Sequence, residues 1–211
     1  QKKMRESLES LFVGFPLAIL GMFIIIATIF RSYAQPLIIM FTVPFGIIGA
    51  VLGHLLLGYD LSIMSIFGMV ALTGVVFNDA IVLIERVNEN IAEGMPFFEA
   101  ILSGGARRFR AIILTSLSTV GGLAPLIMET DLQAKFLIPM ALSIAAGVAF
   151  ATVLTLVLVP SLLALLSDFR LLVHRLRYGY WAKRVEVEPA RNRHMDLLAD
   201  EPALEIKSVT A

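Results

Sequence analysis

Five long apolar runs, separated by short islands of charge, limit what this chain can become more than any other feature. They cover residues 8–30, 37–57, 61–84, 111–128 and 136–166. A bilayer core of roughly 30 Å needs about 20 helical residues to cross it, so each run predicts a membrane-spanning helix. The fifth is long enough to tilt or to project beyond the membrane. The chain is 58% hydrophobic and only 16% charged, whereas a soluble domain is about a quarter charged. The sequence therefore specifies an all-α membrane protein. Its formal net charge of zero does not define partners, because the two signs sit in different loops. The lipid bilayer is the expected surround, and no nucleic-acid partner is expected. With no cysteine, no disulfide, thiolate metal site or cysteine nucleophile can form.

The loops set the expected orientation. Residues 31–36 carry Arg31, and residues 85–110 carry Arg86, Arg107, Arg108 and Arg110. The segment after residue 166 carries Arg170, Arg175, Arg177, Lys183 and Arg184, whereas residues 58–60 carry no base and 128–135 only one. Basic loops favour the cytoplasm, so the first and third loops and the C-terminus are expected inside. The N-terminus then falls outside despite Lys2, Lys3 and Arg5. That is consistent if residues 1–7 end a large external domain, because long translocated domains largely escape the charge rule. The chain opens without a signal pattern and has an odd number of spans, so a piece of a longer polypeptide is expected. The expected organisation is the end of a preceding periplasmic domain over 1–7, a helical bundle over 8–168 and a largely disordered cytoplasmic tail over 169–211.

One acid interrupts the third run. Asp79 follows Asn78 inside GVVFNDAIVLIE, about five apolar residues before Glu85. An ionised carboxylate in hydrocarbon costs at least about 2.5 kcal/mol, so such residues face a bundle interior or a water path. Two readings stand: Asp79 lies near the membrane edge and reaches water, or it is a proton- or ion-coupling site. His54, His174 and His194 are too dispersed to supply the convergent ligands that a metal needs, and no metal or cofactor is expected.

Small residues recur at four-residue spacing: Gly49 and Gly53 on the second run; Ala141, Ala145 and Ala149, and Ser143, Gly147 and Ala151, on the fifth. Such spacing permits close helix packing in lipid. Between the third and fourth runs, MPFFEAILSGGARRFR predicts a separate amphipathic helix on the cytoplasmic surface. Pro96 would open it, and Gly104 and Gly105 would end it. The segment FRLLVHRLRYGYW, after the fifth run, is expected to follow the same surface, and the polar chain from about Glu186 to be disordered.

Taken in order, RSYAQP, VPFGIIGA, GVVFNDA, RRFRAIILTS and FLIPMALSI resemble the C-terminal membrane half of resistance-nodulation-cell division (RND) exporters. The resemblance is strongest to acriflavine-resistance-like inner-membrane subunits and covers about residues 8–168. It implies that the five spans are the last five of a twelve-helix bundle, with a large periplasmic domain before residue 1. It also implies a homotrimer, a periplasmic adaptor and outer-membrane channel as partners, and proton flow that drives export of small amphiphilic substrates. The implied location is the cell inner membrane.

Carried over residue by residue, the drug-efflux branch has a lysine where this chain has Asn78, and an asparagine where it has Asp79. The lysine–aspartate switch of that branch is therefore absent from this half. Asp79 itself is therefore expected to take up and release the proton, with Asn78 as a hydrogen-bonding neighbour, while the resemblance implies Thr115 as a relay hydroxyl and Arg108 at the cytoplasmic proton entry. Thr115 bonded back to its own helix and Arg108 as a positive-inside anchor are the competing readings.

The expected function is thus the membrane part of a proton-driven multidrug or amphiphile efflux pump. The alternatives are an RND-like exporter of lipids or metal ions, or a non-transporting scaffold or sensor of the same fold. The nine methionines are scattered and read as packing. There is no His-Glu-x-x-His sequence, Gly-x-Ser-x-Gly elbow or pair of intramembrane acids, so an enzyme is not expected.

Overall fold

The computed structural model describes residues 2–131 and 133–178, without the side chains of residues 2–5, 7, 8, 177 and 178. Within them the chain forms five long α-helices: α1 (Lys2–Phe30), α2 (Ala34–Leu57), α3 (Ile63–Ala92), α4 (Phe97–Ile127) and α5 (Ile138–Tyr178). A 3-10 turn (Ala134–Phe136) precedes α5. All five helices are long and apolar enough to cross a membrane. Many large hydrophobics point outward, among them Phe12, Leu55, Leu114, Val153 and Leu165. Against water such a surface would be a liability; against lipid it is what a spanning helix presents.

The helix ends follow local chemistry. Gly58 takes a left-handed φ of 72° to close α2, where any side chain would be strained. Ser62 then opens α3 in a capping box with Ser65, each side chain accepting from the other's backbone N–H. His54 ties this turn down from α2. Its Nδ1 lies 3.0 Å from the Ala50 carbonyl and must donate to it, leaving Nε2, 2.9 Å away from Ser65 Oγ, to accept that hydroxyl. At the other end of the bundle Gly94, with φ 91°, turns α3 into α4.

No separate amphipathic helix forms among the described residues, which corrects the expectation for residues 96–105. Pro96 does cap a helix, but that helix is α4 itself, continuous through Gly104 and Gly105. Glycine in a helix costs only about 1 kcal/mol relative to alanine. Gly104 offsets this by packing: a Cβ there would lie 2.8 Å from Val87 Cγ2 and 3.4 Å from the Val87 backbone. It is a point of close helix approach rather than a stop. Likewise α5 continues unbroken past residue 166 to Tyr178, because that segment keeps its helical hydrogen bonding where a turn along the surface was expected. α1 is already helical at Lys2. The disordered tail expected from about residue 186 lies outside the described residues.

α5 is the central post. Gly49 and Gly53 of α2 meet its Phe150 and Ala146, Gly68 of α3 meets its Met140 and Ser143, and Gly147 of α5 itself admits Leu72 of α3. The glycines read from the sequence as packing points are used as such. A larger apolar core joins Ile39, Phe77, Ala80, Leu83, Ile84, Ile112 and Val159. α1 joins it through Ile26 and Phe30.

A reciprocal amide pair fastens α2 to α3. Gln35 Nε2 donates to Asn88 Oδ1 over 2.9 Å, and Asn88 Nδ2 returns a bond to Gln35 Oε1 over 3.0 Å. Gln35 is buried, so Gln35→Leu leaves the Asn88 amide unmatched. Polar contacts between membrane helices contribute about 0.6–2 kcal/mol, and the variant is expected to lose stability of about that size. Thermal unfolding of the detergent-solubilised protein checks this.

Candidate functional site

Asp79 is buried in the third helix, 6% exposed, and its carboxylate has no hydrogen bond or ion pair among the described residues. Its neighbours on α3, Phe77 and Ala80, are buried as well, whereas Asn78 points out of the five-helix bundle. The two residues are adjacent in sequence but about 100° apart around the helix axis, so they face different surroundings.

Register places the groups around Asp79. Asp79 and Leu72 are seven residues, about two turns, apart and share a face. Leu72 packs on Gly147 of α5, and Gly68 packs on Met140 and Ser143. Contacts that advance together mark α3 and α5 as parallel, so α5 opposes Asp79 near residue 154. α4 is antiparallel to α3: Gly104 meets Val87, and Asn90 Nδ2 donates to the Ala100 carbonyl over 3.0 Å. That register sets Ile112 level with Asp79, Arg108 about one turn toward the Gly94 end, and Ser116 about one turn the other way.

The surroundings are apolar, with a sparse ring of hydroxyls. Thr42, Ser116, Thr152 and Thr155 are all buried. Thr42 donates to the Ile39 carbonyl over 2.6 Å, and Ser116 to the Ile112 carbonyl over 2.9 Å. Ser116 Oγ and Thr152 Oγ1 are hydrogen-bonded. Since the Ser116 proton is already committed, Thr152 is the donor. Thr155 has no hydrogen bond among the described residues.

Of the remaining residues carried over from the resemblance, Arg108 lies about one turn of α4 from the level of Asp79 and Thr115 faces away from the bundle. Thr115 is on an exposed face of α4 and donates to the Ala111 carbonyl of its own helix over 2.9 Å. Arg108 is half-buried, and its Nε is enclosed without a hydrogen bond among the described residues. The structure thus brings Asp79 and Arg108 toward one region and turns Asn78 and Thr115 outward from the bundle. The buried hydroxyls Ser116, Thr152 and Thr155 were not singled out by the sequence reading. The signal available for the α5 pair was two threonines three residues apart, on one face of an otherwise aliphatic stretch. Among the described residues no three His, Asp or Glu side chains gather as metal ligands.

This arrangement, five spanning helices around a buried, unpartnered acid, coincides with a clear family match over residues 1–167. The chain belongs to the AcrB/AcrD/AcrF family. Family members are RND efflux transporters of the membrane, not enzymes. The swarming motility protein SwrC of Bacillus subtilis (strain 168) is 32% identical over 166 residues, covering 78% of this chain and 16% of SwrC. Two crystal forms of a heavy metal efflux pump have similar folds. One gives a TM-score of 0.71 at 28% identity over 79% of this chain and 17% of that one. The other gives 0.65 at 29% identity over 77% and 16%. The chain therefore spans about a sixth of the length of these relatives.

Proposed function

We propose that this chain is the C-terminal membrane half of a proton-driven exporter of amphiphilic small molecules. In this reading it works within a homotrimer in the inner membrane, passing substrate to a periplasmic adaptor and an outer-membrane channel. Its N-terminus faces the periplasm and its C-terminus the cytoplasm. The observation that carries the proposal is Asp79: a buried acid with no hydrogen bond or ion pair among the described residues, midway along a helix long and apolar enough to cross a membrane, in a chain of an efflux family. A neutral carboxylic acid tolerates such a site, and an ionised one does not. Proton uptake and release at Asp79 then favour different helix packings, and alternating access to the two sides converts proton flow into a conformational cycle. Each proton that enters contributes about 2.3 kcal/mol per 100 mV of membrane potential. Arg108 sits on the cytoplasmic side of Asp79, where a half-buried guanidinium orders water at the mouth of the proton path. Asn78 and Thr115 face outward, where a second half-bundle would meet them.

A metal-ion substrate is the second reading, favoured by the likeness to the heavy metal efflux pump. One experiment separates the two. Cells lacking their main exporters and expressing the whole transporter are loaded with a fluorescent amphiphile or challenged with copper and silver salts. The proposal predicts reduced amphiphile accumulation, abolished by a protonophore. Protection against the metals alone would favour the second reading, and neither effect would favour a scaffold or sensor.

A further inference from the structure

Asp79 cannot shed a proton inside the bundle unless something takes over solvation of its charge. We infer that Thr155 of α5 is that group: a positioning residue whose hydroxyl donates to the Asp79 carboxylate in the ionised state. This deepens the reading of Asp79 as the proton site and rests on it. The register from Leu72–Gly147 brings Asp79 opposite residue 154 of α5, and Thr155 is the hydroxyl nearest that level.

The other hydroxyls in the layer are committed. Thr42 and Ser116 donate to their own helices, and Thr152 donates to Ser116. Thr155, only 2% exposed, spends its proton on nothing among the described residues. A threonine hydroxyl with its proton uncommitted matches a carboxylate, which only accepts, at the same level on the facing helix. In the neutral state the two groups coexist without a bond. On ionisation, a χ1 rotation of Thr155 turns its O–H toward the carboxylate, while the proton leaves Asp79 for water. Hydrogen bonds to charged acceptors are the strong ones, so one such donor is enough to matter. The Thr152–Ser116 pair, a turn away, keeps α4 and α5 in register while this happens.

The test is infrared difference spectroscopy of the whole transporter in lipid, between acidic and alkaline buffer, together with proton-coupled transport. Wild type, Asp79→Asn, Thr155→Val and Thr155→Ser are compared. Valine keeps the shape of threonine without the hydroxyl, which limits packing damage. The expected result is a carboxylate band that vanishes in Asp79→Asn, shifts in Thr155→Val and returns in Thr155→Ser. Transport should fall about tenfold or more in Thr155→Val and recover in Thr155→Ser. A band and rate unchanged by Thr155→Val would overturn the role of Thr155 while leaving Asp79 as the proton site. A spectrum unaffected by Asp79→Asn would overturn both.

Discussion

Asp79→Asn is expected to abolish export, returning substrate accumulation to the level of cells without the transporter, while the protein still folds and inserts. The substitution is nearly isosteric, so the packing around residue 79 keeps its shape. A carboxamide does not ionise at any working pH, so the helix packing that depends on charge at this position is never reached. Folding should survive because a neutral side chain suits a buried level of the bundle, with buried Phe77 and Ala80 nearby on α3 and buried Ile112 level with it on α4. Asp79→Glu keeps the titrating group but adds a methylene to a packed site, where overpacking costs about 1–3 kcal/mol. It should therefore export at a reduced rate. Accumulation of a fluorescent amphiphile at matched expression checks both variants. An outward-facing acid would have tolerated the longer side chain easily, so the Glu variant also reports on burial.

The second large effect is on assembly. Gly147→Leu is expected to prevent the bundle from packing. Gly147 lies where α2, α3 and α5 meet. A Cβ there would run into the Leu72 side chain and sit 3.1 Å from the Gly46 carbonyl oxygen, a backbone atom that cannot swing away. Leu72 is 1% exposed and has no free space to rotate into. Overpacking of this kind costs about 1–3 kcal/mol for an added methyl or methylene and more for a whole side chain. The expected outcome is loss of the monodisperse peak in size-exclusion chromatography from detergent. Gly147→Ala should give a milder loss, partly restored by Leu72→Ala, which removes the atoms it meets. Gly121, beside open space, provides the control: Gly121→Ala should leave the melting profile of the five-helix bundle nearly unchanged.

Much of this fold could be read from hydropathy, because lipid demands long helices with their backbone bonds closed internally. The five runs in the sequence match the five helices, and differences at the ends have local causes. α3 continues past residue 84 to Ala92, because polar residues near a helix end remain helical after the apolar run stops. The amphipathic segment was misplaced because Gly104 and Gly105 looked like punctuation. Only the position of Val87 on the neighbouring helix makes Gly104 a packing residue, and nothing in the local sequence reports it.

The candidate site was legible in part. Asp79 stands out in any reading, since a lone acid in an apolar run carries its own physical argument. Its direction did not. A step of one residue turns the face by about 100°, so Asn78 and Asp79 point to different surroundings, and only packing fixes which is inward. Thr115 and Ser116 pose the same problem on α4, where the buried hydroxyl belongs to Ser116. Thr155 looks ordinary in sequence and becomes informative only when its level is matched to Asp79 across the helix pair.

The most direct test of the account is proton movement itself. The whole transporter, reconstituted in liposomes that enclose a pH-sensitive dye, is given an amphiphilic substrate, and the luminal pH is followed for wild type and Asp79→Asn. The account predicts a substrate-dependent proton flux in wild type and none in Asp79→Asn. An Asp79→Asn protein that moves protons as fast as wild type would contradict it.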